Sequence, residues 1–155
     1  KVDMIHNWFE TKIKYSKMQE NGVEKKVTES YLVDALSCTE AEARTLKEME
    51  PYIKGEFSIS SVKQAKYSEV FFDESDSADR WFKCKVAFIT LDEKTGAEKE
   101  TSTYMLVQAS DLRQAIKSLD RGMEGSMTDY LIKSVSETKV MDVFLYNQER
   151  EVSNE

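Results

Sequence analysis

Two tryptophans, each followed by a pair of lysines at strand spacing, are the residues of this chain best suited to binding chemistry. They are Trp8 with Lys12 and Lys14, and Trp81 with Lys83 and Lys85. Alternate side chains of an extended strand share a face, so each set points to one side of a sheet. Lys26 and Tyr104 are expected nearby on the neighbouring strands. Flat indoles interleaved with ammonium groups suit single-stranded nucleic acid. Bases stack on the rings for about 1–3 kcal/mol each, while the lysines follow the phosphates. The competing reading has both tryptophans closing the edge of the core and the lysines keeping the sheet soluble. Glu10, Glu24 and a net charge of −7 favour that plainer reading.

Other chemistries are poorly supplied. His6 is the one histidine, and no Gly-x-Ser-x-Gly or Cys/His arrangement activates a nucleophile, so His6 reads as structural or solvated. Asp73, Ser75, Ser77 and Asp79 have the spacing of a calcium loop. Such a loop needs glycine at its sixth position and glutamate at its twelfth, where this chain has Ala78 and Cys84. The segment 73–79 therefore reads as an acidic linker. No glycine-rich phosphate cradle occurs, and Gly122 to Gly125 reads as a helix end. These residues point away from an enzyme and call for no metal and no cofactor.

The elements that must position the Trp/Lys sets are written twice. Residues 55–71 align without a gap to residues 128–144, at an offset of 73. Ile59/Ile132, Ser61/Ser134, Val62/Val135, Lys66/Lys139, Val70/Val143 and Phe71/Phe144 are identical, and Trp8-Phe9 and Trp81-Phe82 keep the same offset. Two copies are too few for a solenoid and indicate an internally duplicated domain with a pseudo-twofold axis.

Each copy begins with an alternating strand: Phe9, Thr11, Ile13 and Tyr15 point inward in the first, Phe82, Cys84, Val86 and Phe88 in the second. Asn21-Gly22 signals a tight type I′ hairpin, and Asp92 to Gly96 a longer turn. Second strands follow over Val27–Leu36 and Thr101–Ala109. Thr39 with Glu42 and Asp111 with Gln114 fit capping boxes that start helices. The second helix carries an apolar stripe of Leu112, Ala115, Ile116, Leu119 and Met123. The aligned blocks then supply two short strands broken near Gln64 and Glu137, or one long bent strand.

The expected fold is α+β: two tandem β-β-α-β-β repeats with antiparallel sheets and two helices on the apolar face. It is read as a single domain, with repeat one at 6–72, the linker at 73–79, repeat two at 80–146 and a polar tail at 147–155. The expected core comprises Phe9, Ile13, Val33, Leu46, Ile59, Phe82, Val86, Val107, Ile116, Leu119, Ile132 and Val135.

Composition is ordinary for a soluble domain: 155 residues, 40% apolar and 33% charged. No apolar run reaches the roughly 18 residues of a membrane span. Cys38 and Cys84 stand outside any Cys-x-x-Cys pattern and are expected as reduced, buried thiols in a cytoplasmic protein.

Four segments together carry a family resemblance: His-Asn-Trp-Phe-Glu at 6–10, Tyr-Leu-Val-Asp-Ala at 31–35, Thr-Glu-Ala-Glu-Ala-Arg at 39–44 and Met-Asp-Val-Phe at 141–144. Over His6 to Phe144 the chain resembles a family of gut bacteria and their phages known as domain of unknown function 4494. The resemblance implies a small intracellular protein associated with phages, and it carries no activity, cofactor or catalytic residue to this sequence. Lys1–Met4 precede the part that resembles the family. Two functions are expected of such a chain. The first is a non-enzymatic module that binds single-stranded nucleic acid through the Trp/Lys face. The second is an interaction or assembly protein that associates with itself or docks another protein.

Overall fold

Alternation and capping set the same sequence of elements in each copy. The computed structural model describes residues 6–146. Its elements are β1 (Trp8–Met18), β2 (Glu24–Asp34), α1 (Cys38–Met49), β3 (Phe57–Ala65) and β4 (Tyr67–Phe71), then β5 (Arg80–Leu91), β6 (Glu98–Ala109), α2 (Leu112–Gly122), β7 (Asp129–Glu137) and β8 (Val140–Phe144). The chain is thus α+β, with a strand-strand-helix-strand-strand pattern repeated twice. Lys1–Met4 and the polar tail at 147–155 lie outside the described residues.

The strands form two four-stranded sheets, ordered β3-β1-β2-β8 and β4-β6-β5-β7. Both are mixed rather than antiparallel throughout, because β8 runs parallel to β2 and β4 parallel to β6. Each aligned block is two strands, parted at Lys66 and at Thr138–Lys139, and the two strands of a block join different sheets. The compact units therefore do not end where the repeats end. Of the described residues, one unit holds those up to Ala65 and those from Lys139; the other holds Lys66–Thr138.

In the first unit α1 packs on β1, β2 and β3. Ala41, Thr45 and Met49 are its buried residues, and Phe9, Ile13, Tyr31 and Val33 are buried on the strands. Its cap is Ser37, whose hydroxyl accepts from the Glu40 amide at 3.1 Å; the capping box expected at Thr39 lies inside the helix. Ser37 has the extended backbone that a cap requires, and serine is as good an acceptor there as threonine.

In the second unit Ala115 and Leu119 of α2 and Met123, its C-cap, are buried, the last two against Cys84, Val86, Met105 and Val107. Asp111 caps α2 as expected, accepting from the Gln114 amide at 2.9 Å. The buried stripe is narrower than the sequence implied, since Leu112 and Ile116 are exposed. Of the other expected core residues, Leu46, Ile59, Ile132 and Val135 are half-buried and the rest are buried.

The first hairpin is not type I′. Gly22 has φ +80, but no non-glycine among the described residues has positive φ, so Asn21 does not. Gly22 N–H donates to Gln19 O at 3.0 Å and Gln19 N–H to Val23 O at 3.0 Å. That is a type I turn followed by a left-handed glycine, which asks positive φ of one residue instead of two. Among the described residues no helix is long and apolar enough to cross a membrane.

Candidate functional site

Both tryptophans are withdrawn from solvent, with Trp8 3% and Trp81 2% exposed. Alternation does place Trp8 with Lys12 and Lys14, and Trp81 with Lys83 and Lys85. The covering of that face is what the sequence pattern does not report. Leu32 and Leu106, on the same faces of the neighbouring strands, are fully buried. His6 stacks on Trp8 with ring centroids 5.1 Å apart, and Phe72 meets Trp81 edge-on at 5.4 Å. Neither indole offers a face to a base, so the stacking role expected of Trp8 and Trp81 is corrected.

The polar members of the set are dispersed. Lys12, Lys83 and Lys85 are half-buried, while Lys14 and Lys26 are exposed. Lys83 Nζ sits 4.4 Å from the centroid of the Tyr104 ring, a cation–π contact that engages both groups. Lys14 and Lys26 come together, bordering a groove of about 580 Å³ that also carries Ser16, Thr28 and Ser58.

His6 has a structural explanation. Its Nδ1 is in hydrogen-bond contact with Asp34 Oδ2, and Asn7 N–H donates to the other carboxylate oxygen at 3.3 Å. Both cysteines are free thiols, but Cys38 is exposed rather than buried. Burial pushes the Cys84 thiol up to about 11, which keeps it neutral and poorly nucleophilic near pH 7.

The acidic linker is an ordered turn. Asp73 Oδ1 accepts from Ser75 N–H at 2.9 Å and Ser75 Oγ–H at 2.8 Å, and Ala78 is buried. Those bonds to Ser75, with the Arg121 charge adding to them, hold the Asp73 carboxyl below its usual range. Among the described residues no His/Cys/Asp/Glu group could hold a metal ion.

The sequence reading missed a cleft of about 450 Å³ between α2 and the chain leaving β4. Val70, Phe71 and Phe72 give it apolar walls, and Asp73 and Glu74 follow them. The helix contributes Ser118, Arg121 and Gly122. Gly122 is there for close approach: a Cβ on it would stand 2.8 Å from three atoms of the Phe71 ring. Phe72 remains 46% exposed. The available signal was Gly122 itself, a helix-weakening residue one turn before the Gly125 that the sequence offers as a stop.

Comparison with curated proteins and with solved structures gave no match. The family comparison is different: residues 7–146 fit the family described as Domain of unknown function (DUF4494). That span is nearly the whole chain, and the chain belongs to the DUF4494 family.

Proposed function

We propose that this protein is a non-enzymatic binding module that docks a polypeptide partner in the cleft between α2 and β4. The observation that supports this is the half-exposed Phe72 beside a side-chain-sized cleft with charged groups of both signs around it. Protein interfaces have that anatomy: an aromatic anchor, a pocket and a polar rim. The test is a photo-crosslinking residue placed at Glu74, with the same residue at Glu93 in the distant β5–β6 turn as control. In cells that produce the protein, a polypeptide adduct at Glu74 and none at Glu93 is expected. No polypeptide adduct at Glu74, or equal adducts at both positions, would remove the reading.

A second reading retains single-stranded nucleic acid, supported by Lys14 and Lys26 beside the hydroxyls of Ser16, Thr28 and Ser58. Ammonium and hydroxyl groups suit phosphates without any stacked ring. Anisotropy of a labelled oligonucleotide should then rise at low salt. A Lys14→Glu/Lys26→Glu protein should lose that response, since two phosphate contacts account for a slope of about −1.4 in log K against log salt. A flat titration at low salt excludes this reading.

A further inference from the structure

The two copies differ most tellingly at one helix position. The caps Ser37 and Asp111, and the buried sets Ala41/Ala115, Thr45/Leu119 and Met49/Met123, align α1 with α2 at an offset of 74. Phe144 corresponds to Phe71 at the ends of β8 and β4. Arg44 therefore corresponds to Ser118, Glu48 to Gly122, Leu145 to Phe72 and Tyr146 to Asp73.

In the first unit Arg44 bridges the helix to the chain that leaves the closing strand. Its guanidinium donates to Asp34 O, donates to Leu145 O at 2.8 Å, and lies 5.0 Å from the centroid of the Tyr146 ring. In the second unit the same helix position carries Ser118, which is too short to make that crossing, and the space is the cleft of about 450 Å³. Glycine in place of Glu48 lets the Phe71 ring lie directly against the helix and form one wall of the cleft.

We infer that this cleft receives an arginine side chain of the docked partner, in the place that Arg44 fills in the other copy; the inference rests on the docking reading above. Leu145 and Asp34, whose carbonyls accept from Arg44, correspond by the same offsets to Phe72 and Gln108, and Phe72 lines the cleft. Asp73 replaces the aromatic ring of Tyr146 and Glu74 follows it, so two carboxylates face one cation, Arg121, around the cleft. A guanidinium carries five N–H donors in a flat fork that can meet a carbonyl and a carboxylate together, which the ammonium of lysine cannot do with fixed geometry. The net charge of −7 draws a cationic partner in the same direction.

The experiment is an amide-resolved NMR titration of the full chain with N-acetyl-arginine N-methylamide, using the lysine analogue as control. Shifts are expected at Phe72, Asp73, Ser118 and Gly122, several-fold larger for arginine than for lysine. Ser118→Arg fills the cleft from inside, as Arg44 does in its own unit, and should abolish them. Arg121→Ala removes the competing cation and should tighten binding. Arg44→Ser should open a second responsive site at Leu145 and Tyr146; if that variant does not fold, Ser118→Arg decides alone. An equal response to the lysine analogue, or an unchanged response in Ser118→Arg, overturns the inference. No response to arginine with a persisting Glu74 adduct removes the arginine assignment and leaves docking standing. Loss of both removes both.

Discussion

At position 11 the first copy has threonine where the second has Cys84, and the helix residue facing it changes in concert, Thr45 against Leu119. Thr45 Oγ–H donates to Ala41 O at 2.8 Å, so the 2.9 Å contact between the two hydroxyls must use the Thr11 proton. Both side chains are fully buried. Removing one partner of a buried pair costs about 1–3 kcal/mol, whereas replacing both with apolar groups of the same shape is nearly neutral. Thr11→Val and Thr45→Val should each destabilise the chain by about that amount, and the double variant by much less than their sum. Urea denaturation of the four proteins checks this, and additive losses would show that the hydroxyls act independently. The buried thiol of the other copy has its own consequence. Its pKa rises from 9.0 to about 11 on folding, so between those values the unfolded chain loses the proton first and stability falls as pH rises. Tyr15, pushed up to about 12 by burial and then by Glu29, acts in the same direction above pH 10. At pH 8 the folded protein should expose one thiol, Cys38, to an alkylating reagent, and the denatured chain two. Modification of both in the folded state would contradict the burial of Cys84.

Among the elements, what the sequence revealed depended on the range of the forces involved. The β-β-α-β-β order, the Asp111 cap and the inward set Phe9, Thr11 and Ile13 were legible because propensity, capping and alternation act within a few residues. Ser37 and Thr39 compete for one cap at nearly equal local strength, so the choice between them was not. The exposure of Trp8 and Trp81 depends on what covers the sheet, and so does the cleft, which exists only once the chain after β4 lies beside α2. Gly122 shows local preference yielding to such packing. Because Gly122 is the last residue of the helix, alanine there would favour it by at most about 1 kcal/mol, the interior value. Its methyl would also meet the Phe71 ring at 2.8 Å, an overpacking that costs about 1–3 kcal/mol. Gly122→Ala is therefore expected to lower the Tm despite the gain in propensity. A raised Tm would mean that Phe71 can swing away freely and that the cleft floor is not held by this contact.

For the molecule as a whole, short links decide which strand closes which sheet. The place taken by β8, on the free edge of β2, is three strand spacings from β3. At about 4.8 Å each that is about 14 Å. One residue, Lys66, joins β3 to β4, and two Cα steps span at most about 7 Å. Repeat one therefore cannot close its own sheet with β4. Thr138–Lys139 gives β8 about 11 Å, which is also too little to close the sheet of repeat two with its own strand. Duplication thus lets both sheets be completed within one chain, because each copy supplies the strand that the other lacks. A fragment of residues 6–72 leaves Tyr31, Leu32 and Val33 of β2 without the partners that Asp142, Val143 and Phe144 provide. Its β4 carries Val70 and Phe71, identical to Val143 and Phe144, so a second copy of the fragment can supply the missing strand. The fragment is expected as a strand-exchanged dimer by light scattering. Mixed with residues 73–146 it should give a one-to-one complex with the thermal transition of the intact chain. A monomeric fragment that melts cooperatively would show that β2 needs no closing strand, and with it that the exchange of β4 and β8 is incidental to stability.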